Sequence, residues 1–292
     1  MAFQCYENLV GNLGEIDMIA EAANEAIGQA TSAGRTQGNA MTRAALVLLC
    51  GYLEGFVRDV AEEYIEILNE LVTTSDAYPA PMFCALAKEM TENLNPEKGD
   101  TILSFREVFK AGKPAELNKK RFSKTGGNPT VDTIEAIFGI LGIPDVIDLL
   151  SIKHYSVDST FISESQVTPH FRGELHHALS ERGKLADGAL EVIVNVIEKK
   201  WSPRLKRRKV GYVNEIEQLL KKRNRIAHGE GSEQITPTEL IDFKKCVMKL
   251  ASGLHDELQL LLDKIRAKMP GGALVGEGSN PVAGLLLMPS PP

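Results

Sequence analysis

The sequence predicts an all-α protein, a bundle of long antiparallel helices of one domain carrying a helical insertion. Three observations carry that reading. The chain of 292 residues has only 6% aromatic residues, and is rich in Leu, Ala, Glu and Lys, which favour helix over strand. Two long stretches, 41–72 and 236–265, repeat apolar residues at spacings of three and four, the period of one helix face. No segment shows the strict alternation of a half-buried strand, so nothing reads as sheet.

The elements follow in order. A first helix is expected over 6–31, rich in Ala, Glu and Ile, and broken by Gly34 and the Arg35-Thr-Gln-Gly38 stretch. The second, over 41–72, presents Leu49, Tyr52, Leu53, Phe56, Val60, Tyr64, Ile67, Leu68 and Leu71 along one stripe, with Glu54, Arg58, Asp59, Glu62 and Glu63 elsewhere. Between 75 and 129, five prolines and the Gly126-Gly127 pair divide the chain into short pieces, one of them a helix at Leu103–Phe109. A helix over 130–141 ends at Gly142, and another spans 146–150. Residues 152–185 look polar and irregular, helix returns over 187–200, and Pro203 stops it.

A helix over 213–228 closes at Gly229, the residue type that best tolerates the left-handed turn after a helix end. Thr236-Pro-Thr-Glu239 then opens the last helix with a cap, a proline at the first position and a capping glutamate. The boundaries expected are therefore a domain over 1–268, with 152–209 as a polar, basic insertion, and a Pro/Gly-rich disordered tail over 269–292. Leu285-Leu-Leu-Met288 is a candidate docking motif in that tail.

Composition narrows the function. A formal net charge of −6 excludes a polycation, so any nucleic-acid contact must come from local basic patches. Cys5, Cys50, Cys84 and Cys246 are scattered without CxxC pairing, the pattern of buried free thiols in a reducing compartment. The N-terminus lacks the order of a signal peptide and no apolar run reaches membrane-span length, so the expected location is cytoplasmic, with no membrane partner. Glu174-Leu-His-His177 invites a metal reading, but adjacent histidines point about 100° apart on a helix and no second ligand pair accompanies them. No metal or cofactor is assigned, and the isolated His154, His170 and His255 receive no role.

The informative segment is Lys221-Lys-Arg-Asn-Arg-Ile-Ala-His-Gly-Glu230. Histidine titrates near neutral pH and can serve as general base or acid. Arginine offers a planar, permanently charged fork matched to phosphate oxygens. On an ideal helix Asn224 and His228 lie about 40° apart, on one face, whereas Arg223 lies about 140° from His228 and must reach back or serve across a subunit boundary. Arg223, Asn224 and His228 are the candidate catalytic residues. Glu54 is a further one, since a polar group on an earlier helix could orient the histidine. A second feature is the basic stretch around Lys200, Trp201, Arg204, Arg207 and Arg208, leading to Lys222 and Arg225. Its cations could hold an RNA backbone while Trp201 stacks a base. Lys119, Lys120, Arg121 and Lys124 form a weaker patch.

The string Arg223-Asn-Arg-Ile-Ala-His228, set between an amphipathic helix and a long capped one, resembles the Arg-x4–6-His motif of HEPN domains. Gly51-Tyr-Leu-Glu-Gly-Phe-Val57 and the run from Asn128 to Gly142 are similar to corresponding segments of the RiboL-PSP-HEPN subgroup. This resemblance covers roughly residues 40–265. It implies a helical, metal-independent endoribonuclease that leaves a 2′,3′-cyclic phosphate. The implied assembly is a homodimer whose composite site supplies Arg223 and His228 from both chains. It also implies a setting in prokaryotic defence or toxicity, with an antitoxin or defence-system protein as partner. The alternative is a non-catalytic HEPN module that binds RNA, a nucleotide or another protein.

Overall fold

The structure, a computed structural model, describes residues 3–72, 78–92, 117–181, 188–201, 204–229 and 233–268. The expected helix at Leu103–Phe109 and the tail with its Leu285–Met288 motif lie outside the described residues.

Helix α1 (Gln4–Gly28) and α2 (Ser32–Leu71) form an antiparallel hairpin across a three-residue turn. The carboxylate of Glu63, near the far end of α2, accepts from the backbone N–H groups of Gln4 and Cys5 at 2.7 and 3.0 Å. It caps α1 in place of the apolar Phe3, whose own side chain is buried. The expected break at Gly34–Gly38 does not occur: α2 starts at Ser32, with the Thr31 side chain capping Gly34 N. Those glycines lie where α2 crosses α1. A Cβ at Gly34 would sit 2.2 Å from the Ala26 carbonyl oxygen, and one at Gly38 2.5 Å from Ile27 Cγ1. They permit close helix approach rather than ending a helix.

With 40 residues, α2 runs to about 60 Å and is the spine of the fold. By length and composition it could cross a membrane, contrary to the expectation that no segment could. In this protein its stripe of Leu46, Leu49, Leu53, Phe56, Val60, Tyr64 and Leu68 is buried in the core instead. Helix α10 (Pro237–Lys268) packs on both α1 and α2, burying Leu240, Val247, Leu250, Leu254 and Leu258. Lys244 pairs with Asp17 at 2.6 Å, and His255 packs its ring against Phe3 and Tyr6, so α10 runs antiparallel to α1.

Shorter elements complete the bundle: α3 (Ala80–Glu92), α4 (Lys119–Phe122), α5 (Val131–Leu141), α6 (Val146–Tyr155) and α9 (Tyr212–Ala227). Helix α5 begins at the Thr130 cap and ends at Gly142, φ +108, pressed against Pro79 and Leu261. Helix α6 extends five residues beyond its expected end. The junction that fixes α9 is polar. Gly211, at φ +56, lies against Ser151, whose hydroxyl accepts from Tyr212 N at 3.1 Å, while the Tyr212 hydroxyl meets His154 Nδ1 at 2.7 Å. Burial, assisted by Lys249, holds the His154 pKa below its ordinary value.

The insertion departs from expectation by containing a sheet. Strands β1 (Phe161–Glu164) and β2 (Arg204–Arg207) pair antiparallel, Phe161 opposite Arg207. Between them lie α7 (Pro169–Ser180) and α8 (Ala189–Trp201). Four-residue strands whose partners are some forty positions away are too short to show an alternation signal. Asp148 on α6 anchors the base of this excursion, accepting from Thr160 Oγ1 and Ser159 Oγ at 2.7 and 3.0 Å and from Thr160 N. Burial would raise the Asp148 pKa, but these hydrogen bonds hold it below the usual carboxylate range. Among the cysteines, Cys5 and Cys50 are buried, Cys246 half-buried and Cys84 exposed, a departure from uniform burial.

Candidate functional site

Helix α9 is strongly two-faced. Tyr212, Val213, Ile216, Leu219 and Leu220 enter the core, and Gly229, at φ +79, follows its C-terminus as expected. The opposite face carries Asn214, Gln218, Lys221, Arg225 and His228 at steps of three and four, so these side chains share one line. That line forms one wall of a groove of about 930 Å³. The facing wall comes from Asn128, Thr130 and Asp132 at the start of α5, and Arg207 and Lys209 close one side.

The structure brings Asn224 and His228 to this groove, with His228 exposed at the helix end and its backbone N–H bonded to Asn224 O at 2.9 Å. On α2, burial pushes the Cys50 thiol up to about 12, against the opposing pull of the Arg223 charge. The Arg223 guanidinium is half-buried and reaches back, Nη1 donating to Asn224 Oδ1 at 3.0 Å. Asn224 therefore links the arginine to the groove that holds the histidine.

Glu54 is placed differently from its expected role. Its carboxylate accepts from Thr125 Oγ1 at 2.7 Å and so secures the strap of residues 117–127 that leads to Asn128. Three further α2 side chains fasten the same strap. Asn69 pairs with both backbone groups of Leu117 at 2.9 and 3.0 Å, Glu66 holds Lys119, and Glu62 accepts from Ser123 at 2.8 Å. The polar face of α2 is thus a ladder for the strap.

The residues expected to bind RNA divide into two groups. Arg207 and Arg225 line the groove, whereas Lys200, Trp201, Arg204, Arg208 and Lys222 do not. Arg207 is paired with Glu135 and stacked over Phe161, its guanidinium carbon 4.5 Å from the ring centroid. Arg208 donates to the Ser159 carbonyl. Lys222 contacts Glu233 and Glu239 at 3.2 and 3.0 Å, and Arg225 contacts Glu233 at 3.0 Å. Arg225, then Lys222, hold the Glu233 carboxyl below its ordinary pKa. Trp201 is exposed on α8 beside Lys200, whose ammonium lies 5.7 Å from the ring centroid.

Sequence reasoning did not nominate Asn128, Asp132, Asn214 or Gln218 for this site. The α9 residues could have been found by extending the helical spacing backward from His228. Asn128 carries no local signal of that kind, because only the fastened strap brings it across.

An all-α bundle with Asn224 and His228 on one groove and Arg223 tied to it defines a protein of HEPN type. A family model described as RiboL-PSP-HEPN matches residues 16–260, most of the chain, and the protein belongs to the RiboL-PSP-HEPN family. Neither the curated proteins nor the solved structures compared with it include a match.

Proposed function

We propose that this HEPN protein is an endoribonuclease that cleaves RNA by transesterification without a catalytic metal. The observation that carries the reading is the exposed His228 imidazole on an open groove, with the Arg223 guanidinium bonded to the adjacent Asn224. HEPN domains are often ribonucleases, which supports the assignment.

In the proposed reaction the 2′-oxygen attacks phosphorus, and the bond from phosphorus to the 5′-oxygen breaks. A base accepts the 2′-hydroxyl proton, an acid delivers one to the leaving oxygen, and the products are a 2′,3′-cyclic phosphate and a 5′-hydroxyl. His228 takes a proton role, Arg223 neutralises charge building on the phosphoryl oxygens, and Asn224 orients the phosphate. One chain supplies one motif. We therefore place the second histidine on a second copy of the chain, related by a two-fold axis, so that the base and the acid come from opposite protomers. The defence or toxin role, with a restraining partner protein, rests on family association alone.

The test is incubation of labelled RNA with the purified protein in excess EDTA, beside His228→Ala. Cleavage by the wild type, reduced in the variant by about 10²-fold or more, is expected for loss of a general acid or base. RNA bound but cut by neither protein would replace the enzyme with a non-catalytic RNA-binding module.

A further inference from the structure

A second cavity of about 460 Å³ lies beside the groove, and the two share Asp132 at the first turn of α5. Its walls differ in chemistry. One is the α5 surface carrying Ala136 and Ile140; the other is the strap, contributing Arg121, Lys124, Thr125 and Gly126. An apolar wall facing cationic side chains suits a ligand that is flat and apolar on one side and anionic on the other.

We propose that this cavity is a nucleotide subsite, seating a residue of single-stranded RNA that flanks the scissile phosphate, its base on α5 and its phosphate at Lys124. The proposal rests on the reading that the neighbouring groove takes RNA, and it gives that RNA a direction of travel past Asp132. The wall is built rather than incidental, because Glu54, Glu62, Glu66 and Asn69 of α2 fasten the strap along its length. Lys119 is committed to Glu66 in that fastening, whereas Lys124 is exposed at the cavity. Gly126 and Gly127, at φ +66 and +88, have open space where a side chain would project, so a ligand can approach the strap backbone closely. Asp132, an acceptor-only group at the junction, suits a sugar hydroxyl or a base N–H rather than a phosphate. The strap's cations thereby acquire a role that neither the motif nor the basic insertion accounts for.

The experiment measures binding, so it does not depend on cleavage. Fluorescence anisotropy on the His228→Ala protein compares labelled RNAs of about 3 and about 10 nucleotides, spanning the lengths that fill single-strand sites. The longer RNA is expected to bind roughly tenfold tighter, and Lys124→Glu and Ala136→Glu each to remove most of that gain. Lys120→Glu, the same charge change on an exposed residue outside the cavity lining, is expected to keep it. A length gain retained in both cavity variants, or lost equally in Lys120→Glu, would overturn the subsite. If the wild type fails to cut RNA but this pattern holds, the catalytic reading falls while the subsite stands; RNA that binds at neither length overturns both.

Discussion

Replacing glycine by alanine at four positions of α2 should give opposite results near its start and at its middle. In a helix interior, alanine is favoured over glycine by about 0.5–1 kcal/mol. Gly51 and Gly55 have nothing within 4 Å of an added Cβ, so Gly51→Ala and Gly55→Ala should each stabilise the protein by that amount. At Gly38 the same methyl would meet Ile27 Cγ1 at 2.5 Å and Ala23 O at 2.8 Å; at Gly34 it would meet Ala26 O at 2.2 Å. The oxygens are α1 backbone, so relief requires the two helices to separate, an overpacking cost of about 1–3 kcal/mol. Gly34, in the first turn, gains least from helix propensity and should lose about 2 kcal/mol, with Gly38→Ala losing about 1 kcal/mol. Urea unfolding followed by far-UV circular dichroism reads the difference as midpoint shifts of opposite sign at constant slope. Gly34→Ala and Gly38→Ala proteins as stable as the wild type, or more so, would refute the close-crossing account of α1 and α2.

Asp148→Ala should cost about 2–3 kcal/mol, because it strands the N–H and hydroxyl of buried Thr160. Hydrogen exchange should show protection falling at β1 and β2 before the bundle; uniform loss, or none, would count against Asp148 as the anchor of the insertion. Glu233 has a folded pKa below its usual 4.5, so its ion pairs contribute stability that is full above pH about 5 and is lost as pH falls through the depressed value. The gap in unfolding midpoint between wild type and Glu233→Gln should therefore close on acidification, and a gap that widens would contradict the pairing with Arg225 and Lys222.

The helical class, the long second and last helices and the Arg223–His228 segment on α9 were all legible because each is local. Periodicity marks Leu49 through Leu68 and Leu240 through Leu258, the Thr236-Pro-Thr-Glu239 start signal lies at the observed start, and the Arg223–His228 string is contiguous. What could not be read depends on distant partners. Gly34 and Gly38 look like helix breakers until α1 is seen against them. The strands at Phe161 and Arg204 acquire meaning only from each other. Glu54 was noticed as a polar group that could orient the histidine, but its partner Thr125, 71 positions away, had no sequence mark. Arg207 and Arg208 read as cations for an RNA backbone, yet they are held by Glu135 and the Ser159 carbonyl, which no spacing rule connects to them.

The central claim concerns which oxygen attacks phosphorus, and one substrate change addresses it. After the principal cut in a test RNA is mapped, the same RNA is made with a single 2′-deoxy sugar on the 5′ side of that bond. Cleavage there should disappear, while the all-ribose RNA yields a 2′,3′-cyclic phosphate and a 5′-hydroxyl by mass spectrometry. Continued cleavage at the deoxy position, or products ending in a 5′-phosphate, would contradict it.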